Sequence, residues 1–408
     1  MRTAEPLAEP SFAEIAREWG RLGCIGFGGP PTHVALLRQL CVERRGWLTE
    51  ADFERAIAAT NLLPGPASTQ LAIYCAWRLR GGRGAVLGGV CFIMPGLAAI
   101  VALSALFLSG SPPSWLRGAG MGAGAAVAAV ALRAGLSVAT PIWRRVHGER
   151  RTRVLAFGLA GAVGAAVAGR WLVLVLLACG AIELLGAGLA GRAGAVLFSA
   201  PAWPALAHRV PGRLADALAR SPLIAASAAQ GGAGALAWTA FKVGALAFGG
   251  GFVIVPLMQA DAVSTYHWMT HGQFLNAVAL GQVTPGPVLQ TVAAVGYAAG
   301  GLPGALLAAL VAFAPSFSFV LLGAARLERL LVDRRVLAFL GGATPAAAGA
   351  IIGSAIPLAA ALGESWQDAV LLLAAVALLV LRRGVVQTLL LAGVAGLVAA
   401  LLGAPIPR

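Results

Sequence analysis

Charged side chains are scarce in this sequence. Asp, Glu, Lys and Arg make up 11% of its 408 residues, whereas soluble domains average about 25%. Hydrophobic residues account for 59%, and the mean hydropathy is +0.83. Long uncharged runs, each approaching the roughly 20 residues that cross a bilayer, occupy 84–108, 119–132, 304–323 and 385–403. The composition excludes a soluble domain and predicts an all-α polytopic membrane protein with about ten spans.

Patterns typical of redox and metal sites are also missing. The five cysteines are scattered without a C-x-x-C pair, which fits neither a disulfide framework nor a zinc site. His267 and His271 lie four residues apart but have no third ligand nearby. The sequence has no bis-His haem spacing, no flavin fingerprint and no H-E-x-x-H motif. We therefore expect no metal, no cofactor and no enzymatic activity.

Basic residues outnumber acidic ones and give a formal net charge of +14. The arginines cluster in short connections between apolar runs, as in 141–154 and 209–220. The positive-inside rule accounts for this distribution, and the sequence has no basic groove interleaved with aromatics, so no nucleic-acid partner is expected. The acidic N-terminus lacks an apolar signal region, which predicts that the spans themselves direct insertion into the lipid bilayer.

The sequence contains an internal duplication. Pro-Gly-Pro occurs at 64–66 and again at 285–287. When the chain is aligned with itself on these two triplets, 15 of the 46 positions from 21 to 66 are identical without a gap. The matches include three residues that chance similarity of Gly- and Ala-rich sequence does not readily align: Trp47 with Trp268, Thr49 with Thr270 and Phe53 with Phe274. We interpret 11–190 as a first repeat, 191–222 as a cytoplasmic linker and 223–403 as a second repeat.

The arginine distribution predicts that the two repeats have opposite orientations. In the second repeat a basic loop follows the 304–323 span, where the first repeat has its outside loop. We expect 141–153, 191–222 and 325–336 on the cytoplasmic side and 109–118 outside. Opposite placement of corresponding loops is typical of inverted-topology repeats with broken helices.

Within each repeat we expect one plan. A helix ends at Phe-Gly-Gly, and a polar hairpin carrying Trp-x-Thr follows it. A short helix then leads into Pro-Gly-Pro. Inside the apolar runs, Arg133 and Glu183 are expected to neutralise each other. Inverted repeats with broken helices are typical of transporters. Asp52 and Glu54, on the approach to the first Pro-Gly-Pro, are candidates for carrying protons if such a transporter is proton-coupled.

The two Pro-Gly-Pro triplets predict a substrate site. Proline and glycine stop a helix, and a helix that starts after the triplet presents free N–H groups and the positive end of its dipole, which suit an anion. Hydroxyl and amide side chains follow each break, glycines allow close approach, and Lys242, the only lysine, aligns with Arg21. The candidate site residues are Arg21, Gly28, Gly29, Gly65, Ser68, Thr69, Gln70, Lys242, Gly249, Gly250, Thr284, Gly286, Gln290 and Thr291.

A structural alternative remains open for each of these features. The triplets could be kinks in packed helices, the glycines could serve helix packing, and Lys242 could extend to the membrane interface. If the site exists, its two ends should differ, because Thr284 before the second break is replaced by Leu63 before the first. The second break is therefore expected to hold an oxyanion more firmly.

The motifs FGGPPTH (27–33), WLT (47–49) and LLPGP (62–66), with FGGGFVIVP (248–256), WMT (268–270) and TPGP (284–287), resemble the chromate ion transporter family in its long, two-domain form. The resemblance covers both halves and is weakest in 141–220 and beyond 330. It implies a multi-pass inner-membrane protein that exports chromate and confers chromate resistance. Two alternative functions remain, the transport of sulfate or another oxyanion and a non-transport membrane scaffold. A homodimer is an open alternative for the oligomeric state.

Overall fold

A computed structural model describes residues 9–63, 65–108, 112–167, 172–186, 232–247, 253–330, 333–362 and 365–405. The predicted linker 191–222 and the candidate residues Gly249 and Gly250 lie outside these ranges. The described residues form helices joined by short connections, and no strand occurs among them. The corresponding helices of the two halves follow in the same order.

Seven helices and a π-helical turn form the described part of the first half. The turn, Gln39–Arg44, continues directly from α2. The helices are α1 (Phe12–Ile25), α2 (Pro30–Arg38), α3 (Glu50–Leu62), α4 (Ala67–Phe107), α5 (Ser114–Arg145), α6 (Glu149–Val167) and α7 (Leu172–Gly186).

The second half repeats this order with small differences. A π-helical turn, Ala260–Thr265, again follows the second helix, and a 3₁₀ turn, Val288–Gln290, precedes the long helix. The helices are α8 (Gly232–Leu246), α9 (Ile254–Gln259), α10 (His271–Val283), α11 (Thr291–Leu330), α12 (Arg334–Ala360), α13 (Ser365–Ala375) and α14 (Val385–Leu401). A further π-helical segment, Val376–Val380, extends α13.

The helix surfaces fit a lipid environment. In the described part of the chain, α4, α5, α11 and α12 are long and apolar enough to cross a membrane, and three shorter apolar helices accompany them. Large aliphatic side chains point away from the protein, for example Val163 at 61%, Leu372 at 66% and Leu391 at 68% exposure. Such a surface is stable only against hydrocarbon, so the chain is an all-α polytopic membrane protein with two repeated halves. The number of crossings stays a prediction.

The Trp-x-Thr motif begins a helix in each half. The Thr49 hydroxyl accepts a hydrogen bond from the Asp52 amide (3.1 Å) at the start of α3, and the Thr270 hydroxyl accepts one from the Gln273 amide (3.2 Å) at the start of α10. These N-caps satisfy amides that have no partner within the helix. The expected polar hairpin before the motif is wrong in both halves. A short helix and its π-helical turn fill the segment, α2 with Gln39–Arg44 in the first half and α9 with Ala260–Thr265 in the second. In the first half Pro30 opens the helix, and Leu37 and Cys41 are buried in the core.

The long helices α4 and α11 are each kinked at the same place. Arg80 and Gly81 depart from helical geometry in α4, and Gly300 and Gly301 do so in α11, with φ of +60° at both Gly81 and Gly301. The spacing between the two kinks is shorter by a single position than the spacing between the two Pro-Gly-Pro triplets. Between the triplet and the kink, the second repeat is therefore one residue shorter than the first.

The two halves exchange helices around a shared centre. Within each half the first helix packs on the long one, α1 on α4 and α8 on α11, and α4 and α11 pack on each other. The last helices cross over: α6 and α7 pack on α12, while α13 and α14 pack on α5. Small residues allow this close approach; a β-carbon at Gly161 of α6 would lie 1.9 Å from the Ala346 carbonyl oxygen of α12.

The expected neutralisation of Arg133 by Glu183 is wrong. Arg133 Nη1 donates to the Leu378 carbonyl oxygen at 3.1 Å, within the segment that extends α13. It also donates to the Arg383 carbonyl oxygen, just after that segment. Glu183 lies 3.8 Å from the guanidinium of Arg153. The helix exchange explains the difference, because it brings α13 rather than α7 to the polar part of α5.

Candidate functional site

Both Pro-Gly-Pro triplets interrupt a helix, as predicted. Before the first, α3 ends at Leu62, and Gly65 takes a φ of +118° ahead of α4. Before the second, α10 ends at Val283, and Gly286 takes a φ of +92° ahead of the 3₁₀ turn. Residues with a β-carbon rarely adopt such angles, so glycine is required at each break.

Each break lies against the opposite half. A β-carbon at Gly65 would be 3.3 Å from the Gly244 carbonyl oxygen of α8 and 3.5 Å from the Ser316 hydroxyl of α11. The Gly286 amide donates to the Gly26 carbonyl oxygen at 2.9 Å, and a β-carbon at Gly96 of α4 would be 2.0 Å from the Pro285 carbonyl oxygen. Gly96 and Ser316 are equivalent positions when the halves are aligned on their kinks, so the two breaks have symmetry-related surroundings.

Gln70 and Gln290 fold back onto their own breaks. Both side chains are fully buried. The two glutamines align with each other when the halves are aligned on their kinks. The one-residue difference in length between the repeats therefore lies immediately after the triplets. Gln290 Nε2 donates across the halves to the Ile93 carbonyl oxygen at 2.9 Å. Its Oε1, an acceptor, has no hydrogen-bond partner among the described residues. One of the two side-chain N–H donors of Gln290 that were expected to serve an anion is thus already used.

The hydroxyls differ between the two breaks. Thr284 donates to the Leu280 carbonyl oxygen and Thr291 to the Val288 carbonyl oxygen, both at 2.9 Å. Thr69 is fully buried, and its hydroxyl has no partner in the described residues. The structure gives no support to a firmer hold on an oxyanion at the second break, because its hydroxyl protons are bonded to backbone carbonyls of their own segments. That expectation stays a prediction.

His33 connects the two breaks and was not among the predicted site residues. Its Nδ1 lies 3.1 Å from the Ser68 hydroxyl of the first break, and its Nε2 lies 2.9 Å from the Gly26 carbonyl oxygen. That oxygen also accepts the amide of Gly286 in the second break. The ring is 1% exposed and packs edge-on against Phe92. The sequence offered one signal for His33, because it ends the FGGPPTH motif. The aligned position in the second half is Ile254, so this histidine occurs in one repeat and not in the other.

The predicted cations do not lie free at the site. Lys242 Nζ is 2.5 Å from Asp261 Oδ2, which also accepts from the Thr239 hydroxyl at 2.8 Å. The carboxylate compensates the lysine charge, so the structure gives no support to Lys242 as a free positive charge. Arg21 is exposed on α1. Of the glycines, Gly28 is exposed, while a β-carbon at Gly29 would be 3.8 Å from Val288 in the second break.

Asp52 has a structural role. Its carboxylate accepts from the Thr49 hydroxyl at 2.6 Å and lies 2.7 Å from Arg55 and 3.2 Å from Arg78. The hydrogen bonds from Thr49 and Arg55 hold the pKa of Asp52 below its usual value. A carboxylate held ionised in this way does not suit a proton carrier. Glu54 pairs with Arg38.

Comparison with known proteins gives one consistent result. The family model described as chromate transporter matches residues 13–184 and 234–399. A chromate transport protein of Cupriavidus metallidurans is 34% identical over 390 residues, which cover 93% of this chain and 91% of that protein. A chromate transport protein of Pseudomonas aeruginosa is 32% identical over 368 residues, covering 89% and 85%.

A more distant relative and the solved structures complete the comparison. A probable chromate transport protein of Synechococcus elongatus is 28% identical over 355 residues, covering 85% of this chain and 84% of that protein. No solved structure matches the chain. The family match covers both halves, including both Pro-Gly-Pro breaks and the segment that carries His33. The chain belongs to the chromate transporter family.

Proposed function

We propose that this protein exports chromate across the inner (plasma) membrane and thereby confers chromate resistance. One observation carries the proposal: two glycine-centred helix breaks, one from each half, lie in the protein interior and are joined through His33 and the Gly26 carbonyl. Transporters built from repeats bind their substrates at such discontinuous helices. The substrate name comes from the relatives, and the location of the site comes from the breaks.

The chemistry of the first break suits a tetrahedral oxyanion. The helix α4 begins there, with the positive end of its dipole directed toward the break. Two buried hydroxyls near it, Thr69 and Ser316, have no partner among the described residues. A buried polar atom without a partner costs free energy, and an oxyanion that accepts from both hydroxyls removes that cost. Chromate and sulfate have the same shape and charge, so sulfate is the natural competitor.

The primary test is chromate accumulation in cells. Cells that express the protein should accumulate less radioactive chromate, and grow at higher chromate concentrations, than cells with an empty vector. Excess sulfate in the assay separates chromate selectivity from general oxyanion transport. Equal accumulation in both strains, with the protein verified in the membrane, would contradict the proposal and favour a scaffold.

Glycine variants provide matched controls for the site. Gly65→Val and Gly286→Val place a β-branched side chain at φ values of +118° and +92°, so we expect them to insert into the membrane but lose transport. Gly46→Val also places a β-branched side chain at a positive φ (+59°), but a β-carbon there has no atom within 4 Å. It should keep transport. Equal loss in all three variants would show that backbone strain, and not the breaks, explains the effect.

A further inference from the structure

The ring of His33 is linked to both breaks of the proposed site. Its Nδ1 faces the Ser68 hydroxyl at 3.1 Å, and its Nε2 faces the Gly26 carbonyl oxygen at 2.9 Å. The same oxygen accepts the Gly286 amide at 2.9 Å. A single imidazole thus bonds directly to the first break and shares an acceptor with the second.

The partners of His33 determine where its protons lie. A carbonyl oxygen can only accept, so Nε2 must carry a hydrogen. In the neutral ring Nδ1 then holds a lone pair, and the Ser68 hydroxyl must donate its one proton to it. Ser68 in that state presents only lone pairs toward the break, which repel an oxyanion.

We infer that His33 is a pH-sensitive positioning residue that decides whether Ser68 can donate a hydrogen bond to the transported anion. A proton from solution that binds Nδ1 reverses the bond, because the imidazolium N–H donates to the Ser68 oxygen. The Ser68 hydroxyl is then free to donate its hydrogen bond to the anion, and the protonated ring adds one positive charge to the site. The inference rests on the proposed function and specifies how its site is regulated.

The surroundings of the ring link proton binding to anion binding. The elements packed on α2 are α1, α4 and the π-helical turn. Near these elements Glu18 and Arg45 form an ion pair with each other at 2.5 Å. Among the described residues, the ring bonds to Ser68 and Gly26 and contacts Phe92. A buried imidazolium needs a counter-charge. The anion supplies it, so each ligand strengthens binding of the other.

The test compares the pH dependence of transport in the wild-type protein and in His33→Gln. A glutamine amide can still donate to the Gly26 carbonyl but does not titrate. Burial holds the pKa of His33 below its usual value, so its protonation changes in the acid range. Between about pH 5 and about pH 7, the KM for chromate of the wild-type protein should rise about tenfold more than that of the variant, the effect of one charge-assisted hydrogen bond. The ratio of the two proteins at each pH removes the effect of the anion's own protonation.

Two further variants complete the comparison. His147→Gln changes an exposed histidine in the α5–α6 connection and should keep the wild-type pH profile. Ser68→Ala should raise KM about tenfold at the acid end and little at the alkaline end. Parallel profiles for wild type and His33→Gln would overturn the inference while leaving the proposed function intact.

Nuclear magnetic resonance of ¹⁵N-histidine-labelled protein tests the inference without transport. The chain has five histidines, and the signal missing from His33→Asn assigns His33. At alkaline pH the ring should be the neutral form with hydrogen on Nε2, and added chromate should favour its protonation. A neutral ring with hydrogen on Nδ1, or a protonation state that chromate does not change, would overturn the inference. Absence of transport in the wild type would instead contradict the proposed function.

Discussion

In each half an ion pair with a buried carboxylate joins the first helix to the segment of the π-helical turn. In the second half the cation lies on a helix and the acid in the π-helical turn, with Lys242 on α8 and Asp261 in the turn. In the first half the order is reversed, with Glu18 on α1 and Arg45 just after the turn, at 2.5 Å. Both cations also lie over a tryptophan ring. The reversal indicates that each half needs an ion pair at this place, and that either partner can carry the positive charge.

Lys242→Ala should therefore act mainly through stability. The substitution leaves Asp261, whose side chain is 6% exposed, without its counter-charge, at a cost of about 3 kcal/mol. The double variant Lys242→Ala/Asp261→Ala should recover most of that loss, and Lys242→Arg should lose less than Lys242→Ala. Thermal unfolding of detergent-purified protein measures the stability, and chromate uptake is followed in parallel. If the double variant regains stability but not transport, Lys242 contacts the substrate.

At the scale of elements, the exchanged helices depend on glycine. Gly161 of α6 faces the backbone of α12, where an added β-carbon would lie 1.9 Å from the Ala346 carbonyl oxygen. Gly158, one turn earlier on the same helix, would place its β-carbon 3.7 Å from the Pro345 carbonyl oxygen, an ordinary contact. The two positions have the same local sequence character but different tertiary surroundings.

Alanine at these two glycines should have opposite effects. Gly161→Ala should destabilise the protein by about 1–3 kcal/mol, because α6 and α12 must separate. Gly158→Ala should be neutral or stabilise by up to about 1 kcal/mol through its helix propensity. Thermal unfolding of the two variants in one detergent makes the comparison. Equal destabilisation would show that α6 does not pack on α12 as described.

The whole molecule consists of two halves that each complete the other. Because α6 and α7 pack on α12, and α13 and α14 pack on α5, neither half can bury its own long helices alone. The two breaks likewise obtain their surroundings from the opposite half. A pseudo-twofold arrangement of this kind fits inverted repeats, and the orientation of the halves in the membrane remains a prediction from the arginine distribution.

Cysteine labelling from the two sides of the membrane tests that orientation. In a variant without the five native cysteines, single cysteines in 141–153 and 325–336 should be labelled from the cytoplasmic side, and those in 109–118 from outside. The physical reason is that arginine-rich loops are retained in the cytoplasm. Labelling of 325–336 from outside would make the repeats parallel.

Local chemistry allowed much of this molecule to be predicted from sequence. Membrane insertion follows from composition, and the duplication follows from the spacing of Trp, Thr, Phe and Pro-Gly-Pro. The helix breaks follow from the torsion limits of proline and glycine, which act within a few residues. The positive φ angles at Gly65 and Gly286 agree with those expectations.

Tertiary structure alone decided which side chains meet. His33 reaches Ser68 across 35 residues, and Gln290 reaches Ile93 across 197. The spacing of residues in one half carries no information on these partners, because they lie on helices brought together by packing. Whether a hydroxyl such as Thr284 or Thr69 is free, and whether Lys242 is compensated, depends on the same packing. The sequence therefore determined where the helices break, and the exchange of helices between the halves determined what each break faces.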